Sequence, residues 1–380
     1  MKLPFKRVDL AEYDVLLLIL VVCLTGFGII MVYSASSVMA AKNFHDGAYF
    51  LKRQLLFAIV GFGIVYATMQ TDYTIWRKYA VPLLVISLIM LVVVLIPGIG
   101  GKVKGASRWI RLPGFNLQPS EFTKIAMIFY LAYSIEKKQD RIRSLTAGFF
   151  PYIFILLIIL GLLLKQPDMG SALTIAAVTI VMLFAAGTPM IFIGGTVAIA
   201  SPFVIYLIIY SAYRLKRIKA FLNPEQDPTG SGWQIIQSKY AFGTGGFLGQ
   251  GLGEGKQKLF YLPEAHTDFI LSVTAEELGF IGVIIIIGIF FLVVSRSMRI
   301  AATAQDSFGK FLALGIAVLF GIQASVNMCV VTGLFPTKGL ALPFLSYGGS
   351  SLLMSMFAVG ILLSISRGQQ TASTSTRRTR

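Results

Sequence analysis

Charge is what this sequence has least of. Asp, Glu, Lys and Arg make up 13% of its 380 residues against 56% hydrophobic residues, and the mean hydropathy is +0.77. So little polar surface cannot coat a soluble globule of this length, which excludes an ordinary soluble domain and indicates a polytopic membrane protein. Cysteine is nearly absent. Cys23 and Cys329 lie in apolar runs without CxxC spacing or His/Cys clustering, so packing rather than metal or redox chemistry is their expected role. No A-x-A cleavage pattern follows the first apolar run, which therefore reads as a retained span rather than a removed signal peptide. The net charge of +16 has no basic soluble domain with interleaved aromatics beneath it, which argues against nucleic acid and leaves topology and an anionic ligand as its explanation.

Crossing a bilayer takes roughly 20 apolar residues. Runs of about that length lie at 15–33, 54–69, 79–96, 149–164, 172–186, 190–210, 269–294, 311–331 and 349–365, and a weaker one at 122–133 contains Lys124. The expected fold is an all-α membrane protein of about ten spans, with a large outer loop, 213–267, between spans 7 and 8. Residues 1–366 form the membrane domain, and 367–380 a basic cytoplasmic tail, disordered for want of apolar residues.

The weak fourth span decides which side each later loop faces, and the charges arbitrate. With ten spans both termini are inside, and the inner segments hold 16 of the 33 basic residues, including Arg77, Lys78, Lys137, Arg296 and Arg299. The short outer connections hold only Lys42, Lys52, Arg53, Lys165 and Lys338. Two longer outer segments are cationic against that trend. Residues 97–124 carry Lys102, Lys104, Arg108, Arg111 and Lys124, and 213–267 carry Arg214, Lys216, Arg217, Lys219, Lys239, Lys256 and Lys258. Solvated or headgroup-binding lysines and arginines would explain them, and so would an anion site. Arg296, Arg299 and the tail arginines Arg377 and Arg378 are expected to be topology signals alone.

Several stretches could carry chemistry. "GTGGFLGQGLGEGK" (243–256) is no P-loop, because Gln250 and Gln257 stand where glycine and Ser or Thr are required. It is a turn region that is either flexible or cradles substrate, after a patch, "WQIIQSKYAF" (233–242), suited to the headgroup plane. "LPEAHTDFI" (262–270) sets Asp268 at the mouth of a long apolar run, where the helix dipole favours a carboxylate, and position alone leaves a cap as the simpler reading. Glu276 and Glu277, deeper in, are harder to dismiss. Glu121 and Lys124 share a helix face, Lys165 and Asp168 flank the turn at Pro167, and the segment 336–351 looks re-entrant. The residues alone thus reach an outward cavity rimmed by cations and carboxylates, in a transporter or in an enzyme acting on an anionic membrane substrate.

"QPSEFTK" (118–124), "KQPDMGSA" (165–172), "LPEAHTDFI", "AEELG" (275–279) and "PFLSYGGSS" (343–351), in this order and over nearly the whole chain, resemble the SEDS family of shape, elongation, division and sporulation proteins. Ala265 in "PEAHTDF", and "PTKGLALPFLSYGG", look closer to the family's division branch than to its elongation branch. The resemblance implies a peptidoglycan glycosyltransferase that polymerises lipid II into β-1,4 glycan strands at the septum of the bacterial inner membrane, with undecaprenyl diphosphate leaving. It implies a class B penicillin-binding transpeptidase and other divisome proteins as partners. The family's essential outer aspartate maps onto Asp268, the candidate general base. Arg108, Lys124 and Lys165 are the candidate diphosphate ligands, with Glu121, His266, Thr267 and Ser346 as further substrate-contacting or positioning residues. A divalent cation, Mg or Mn, is a candidate cofactor, with Asp268, Glu121 or Asp168 as oxygen ligands. A lipid II flippase and a non-catalytic scaffold for the transpeptidase are the competing functions.

Overall fold

In hydrocarbon every backbone N–H and C=O has to be bonded within the protein, so the long apolar runs become helices. The computed structural model describes residues 12–378 apart from 99, 104, 105, 113, 114, 229, 231 and 338, with the side chains at 102–106, 112, 213 and beyond 367 also outside the description. Lys2, Lys6, Arg7, Lys338 and Arg380, and the side chains of Lys102, Lys104, Arg377 and Arg378, therefore lie outside the described residues.

The helices are α1 (Val15–Phe44), α2 (Tyr49–Gln70), α3 (Ile75–Val93), α4 (Pro119–Lys137), α5 (Phe150–Lys165), α6 (Met169–Ala185), α7 (Met190–Ile209), α8 (Ala212–Leu222), α9 (Trp233–Gly245), α10 (Ile270–Thr303), α11 (Ser307–Val331) and α12 (Gly349–Arg378). Among the described residues 8 helices are long and apolar enough to cross a membrane, α5 together with the turn at its start. α6 is apolar but shorter, at 17 residues. α4, the weak candidate, is a 19-residue helix that packs in the interior against α3, α6 and α11. Its Glu121 and Lys124 are buried beside each other, which is how a charged segment can sit inside the bundle. The backbone of α12 continues to Arg378, into the tail expected to be disordered.

The helical bundle carries one small β element that the sequence did not suggest. Residues 97–118 hold a three-stranded antiparallel sheet, β1 (Gly100–Val103), β2 (Ala106–Leu112) and β3 (Phe115–Leu117), in the order β1-β2-β3. The segment lies between apolar runs, where strands can pair without hiding unbonded edges in lipid.

Two groups of charged residues stand at opposite ends of the bundle. At one end Arg77 bonds both Glu136 (2.9 Å) and Asp306 (2.5 Å), Tyr73 donates to Asp306 (2.9 Å), and Asp306 caps α11 through the Gly309 N–H. There Asp14 caps α1 and pairs with Arg296 of α10 at 2.8 Å, so Arg296 fastens two helices and is more than a topology signal. The other end carries the sheet, α8, α9 and the loops around Asp268.

α10 is broken. Gly279 adopts φ 67° and ψ −166° inside it, which frees backbone groups on either side. The glycine-rich stretch satisfies them: the N–H groups of Gln250 and Gly251 donate to Glu276 O and Glu277 O (both 3.0 Å), and those of Phe280 and Ile281 donate to Gly246 O and Phe247 O (2.8 and 3.2 Å). Gly249, at φ 82°, lies so close to the break that a Cβ there would sit 2.1 Å from Glu277 O. The glycines of 245–255 thus pack against α10 instead of cradling a ligand. Gly249→Ala combines a forbidden contact with a strained backbone, and is expected to cost at least about 1–3 kcal/mol; a fall in the thermal unfolding midpoint of the detergent-purified protein would register it. α9 belongs to the same packing and does not merely lie in the headgroup plane. Its Ile235, Ser238, Ala241 and Gly245 are buried against α10, and Ser238 and Ser272 share a hydrogen bond of 2.7 Å.

Candidate active site

Asp268 stands just before α10, whose N-cap is Phe269 with no side-chain cap bond, so neither Asp268 nor Thr267 is the cap residue that its position suggested. Thr267 instead donates its hydroxyl back to Glu264, to the carboxylate at 3.0 Å and the carbonyl at 3.2 Å. The Asp268 main chain is held from α11, where Asn327 Nδ2 donates to Asp268 O at 2.8 Å and to Leu340 O at 2.7 Å. Opposite the carboxylate stands Gly339, where a Cβ would come within 2.9 Å of Asp268 Oδ2.

The carboxylate faces a cavity of about 1010 Å³ at the end of the bundle that carries the sheet. Its cationic lining comes from Arg53, Arg108, Lys165, Arg214 and Arg217, its acids are Glu121, Asp168, Glu264 and Asp268, and Phe57, Trp109 and Phe115 give it an aromatic wall. Opposite charges around one large concave site suit an amphiphilic ligand that carries both an anionic group and polar rings. α8 carries Arg214 and Arg217 into this wall, where they donate to Leu207 O (3.0 Å) and Thr337 O (2.9 Å).

Thr267, Arg108, Lys165 and Glu121 line the cavity with Asp268. Arg108 is fixed by Gln166 O and Pro167 O, and Lys165 is exposed beside it. Lys124 does not line it. It is 2% exposed and donates to Glu121 Oε1 at 2.7 Å, so its charge is already matched within α4. His266 is buried between the rings of Phe50 (4.6 Å) and Tyr347 (5.7 Å), and its carbonyl accepts from Tyr347 N at 2.9 Å. Ser346 accepts from Leu342 N at 2.9 Å and lies behind the wall. Burial pushes the Tyr347 phenol above its ordinary range against the pull of the neighbouring Arg53, so it stays neutral in the cavity wall.

Asp168, 2% exposed, caps α6 through Ser171 N and accepts from Ser120 Oγ at 2.9 Å, which ties α4 to α6 at the cavity floor. Sequence reasoning missed Arg53, Arg214, Arg217, Trp109 and Asn327 as particular members of the site. For Arg214 and Arg217 the signal was their place in a cationic outer segment, and Asn327 gave none beyond being an amide in an apolar helix.

Glu276 and Glu277 lie below the site and serve structure. Glu276 accepts from the N–H groups of Lys256 (2.9 Å) and Gln257 (3.1 Å). Glu277 accepts from Ser34, Gly253 N and the buried Lys258, the last at 2.7 Å. Among the described residues no group of three or more His, Cys, Asp or Glu is placed to hold a metal ion.

With this geometry, a family model described as a cell cycle protein, FtsW/RodA/SpoVE, matches residues 15–371. The chain belongs to the FtsW/RodA/SpoVE family. It is 78% identical over 369 residues to a probable peptidoglycan glycosyltransferase FtsW of Trichlorobacter lovleyi, covering 97% of this chain and 96% of that one. It is 46% identical to stage V sporulation protein E of Bacillus subtilis, covering 93% and 97%. Among solved structures it resembles a chain from a study of structural coordination of polymerization and crosslinking by a peptidoglycan synthase complex, with a TM-score of 0.77 at 29% identity and coverage of 94% and 98%. It also resembles the rod shape determining protein RodA of Thermus thermophilus, with a TM-score of 0.69 at 26% identity and coverage of 94% and 97%. The protein is a multi-pass membrane protein of a bacterial family, and the resemblance read from its motifs holds over the whole length of the bundle.

Proposed function

We propose that the protein is a peptidoglycan glycosyltransferase that polymerises lipid II into β-1,4 glycan strands at the outer face of the inner membrane, during septal wall synthesis. The observation that carries this reading is the Asp268 carboxylate facing a large cavity, lined by both cations and carboxylates, at one end of the bundle. A division-type relative at 78% identity, named as such a transferase, supports it. The 4-hydroxyl of the acceptor sugar attacks the anomeric carbon of the lipid-linked donor, Asp268 takes the hydroxyl proton, and the bond to the diphosphate oxygen breaks. One displacement turns an α-linked donor into a β-linked product, so no covalent glycosyl-enzyme is required. The departing undecaprenyl diphosphate gains negative charge, which Arg53, Arg108, Lys165, Arg214 and Arg217 are placed to stabilise from the cavity wall. Lys124 acts through Glu121.

The donor set does not make a resident metal site. Glu121 is committed to Lys124, and Asp168 to Ser120 and the α6 N-terminus, and among the described residues no group of three or more His, Cys, Asp or Glu is placed to hold an ion. Mg or Mn is better regarded as a companion of the substrate diphosphate, bound chiefly by phosphate oxygens, and no step is routed through it. The distribution of basic residues supports cytoplasmic termini, and a class B penicillin-binding transpeptidase with other divisome proteins is the expected company.

A flippase needs its charges near the midplane with access from both ends. Here the Arg77, Glu136 and Asp306 network ties α3, α4 and α11 together at the end opposite the cavity. The deciding experiment gives labelled lipid II to the purified protein, with and without its transpeptidase, and scores glycan strands and translocated lipid together. Strands are expected. Translocated lipid without strands would favour the flippase, and neither product would favour a scaffold.

A further inference from the structure

We propose that Asn327 is a positioning residue for Asp268, clamping the main chain of the base to the opposite wall of the cavity; this rests on the polymerase reading above. Asn327 stands on α11, is 1% exposed and does not line the cavity, so it has no route to the substrate. Both of its contacts are main-chain carbonyls, Asp268 O at 2.8 Å and Leu340 O at 2.7 Å. Carbonyls only accept, so the amide nitrogen has to face them, and chemistry fixes the orientation of the side chain.

Asp268 needs this donor because its carbonyl precedes the helix. The intrahelical acceptors of α10 begin at Phe269, whose carbonyl takes the N–H groups of Ser272 and Val273. Leu340 is in the same position. It is buried in the irregular segment between α11 and α12, with no helix to take its carbonyl. One amide thus joins the strand of chain that carries the base to the strand that carries Gly339, whose missing side chain leaves the space occupied by Asp268 Oδ2. The gap between the carboxylate and the wall at Gly339 and Leu340 is set by that clamp.

A residue that acts through the base alters turnover and not substrate affinity. Asn327→Asp keeps the side-chain size and removes both donated N–H groups. In the purified protein assayed with lipid II, it is expected to lower kcat about 10–100-fold, the scale of an ångström-level misplacement of a catalytic group, with KM within about twofold of native. Gly339→Ala leaves Asn327 intact and presses a methyl to within 2.9 Å of Asp268 Oδ2, so the same kcat-only loss is expected from the other wall. A folded Asn327→Asp with native kcat, or a rise in KM at native kcat, overturns the clamp. Full activity of Gly339→Ala overturns it equally and decides the matter if the aspartate variant does not fold. Native protein that makes no strands would defeat the polymerase reading, whereas active native protein with unaffected variants defeats the clamp alone.

Discussion

Asp268→Asn is expected to fold, insert and retain lipid II, yet to lose strand synthesis by about 100- to 10,000-fold, the usual worth of a positioned general base. The substitution keeps the shape beside Gly339, where a Cβ on the glycine would already come within 2.9 Å of Asp268 Oδ2. It also leaves the main-chain anchor to Asn327 untouched, because that bond is made by the Asp268 carbonyl. The loss should therefore appear as turnover and not as instability. A thermal unfolding midpoint close to native, still raised by lipid II, together with absent turnover, is the expected pair of results. A large drop in the midpoint would make Asp268 a structural residue instead. Since Phe269 and not Asp268 is the α10 N-cap, no lost cap is expected to confuse the comparison.

The second large effect lies beneath the site. Lys258 and Glu277 form an ion pair at 2.7 Å, with side chains 6% and 0% exposed, and Ser34 of α1 and the Gly253 backbone complete the shell. Glu277→Ala or Lys258→Ala strands a buried charge, at a cost of about 3–5 kcal/mol. Either should lower the unfolding midpoint markedly in detergent, and should also impair synthesis, because the chain from Lys258 leads directly to Asp268. The double variant Lys258→Met/Glu277→Leu removes both charges and is expected to regain much of the stability lost by either single change. By contrast, Lys52→Ala breaks the surface pair with Asp46 and should leave the midpoint unchanged. Equal effects at the two sites would refute this account of the buried pair.

Burial explains which features could be read from the chain and which could not. The long helices were legible because membrane spans demand uninterrupted apolar runs, and α4 was recoverable only through charge balance, since Glu121 and Lys124 depress its hydropathy until they are seen to pair. The break in α10 was hidden, because "AEELG" lies inside an otherwise continuous apolar run and its partner is a glycine-rich segment more than twenty residues earlier. The same glycines could be read as a flexible loop or as a ligand cradle; what they accommodate is the α10 backbone. Asp268 was singled out by its position at a helix mouth, and its importance came from the family resemblance. Arg53 was set aside in a short connection because a charge count has no geometry. Asn327 was invisible, since nothing local distinguishes an amide that serves two distant carbonyls from one that packs against a neighbour. The sheet at 97–118 likewise depends on pairing that a cationic segment does not advertise.

The most direct test is the yield of glycan strands from labelled lipid II, made by the purified protein with its transpeptidase, native and Asp268→Asn compared at equal folded concentration. Long strands are expected from the native protein and none above background from the variant. Strands of normal length and yield from the folded variant would contradict the role of Asp268 as general base.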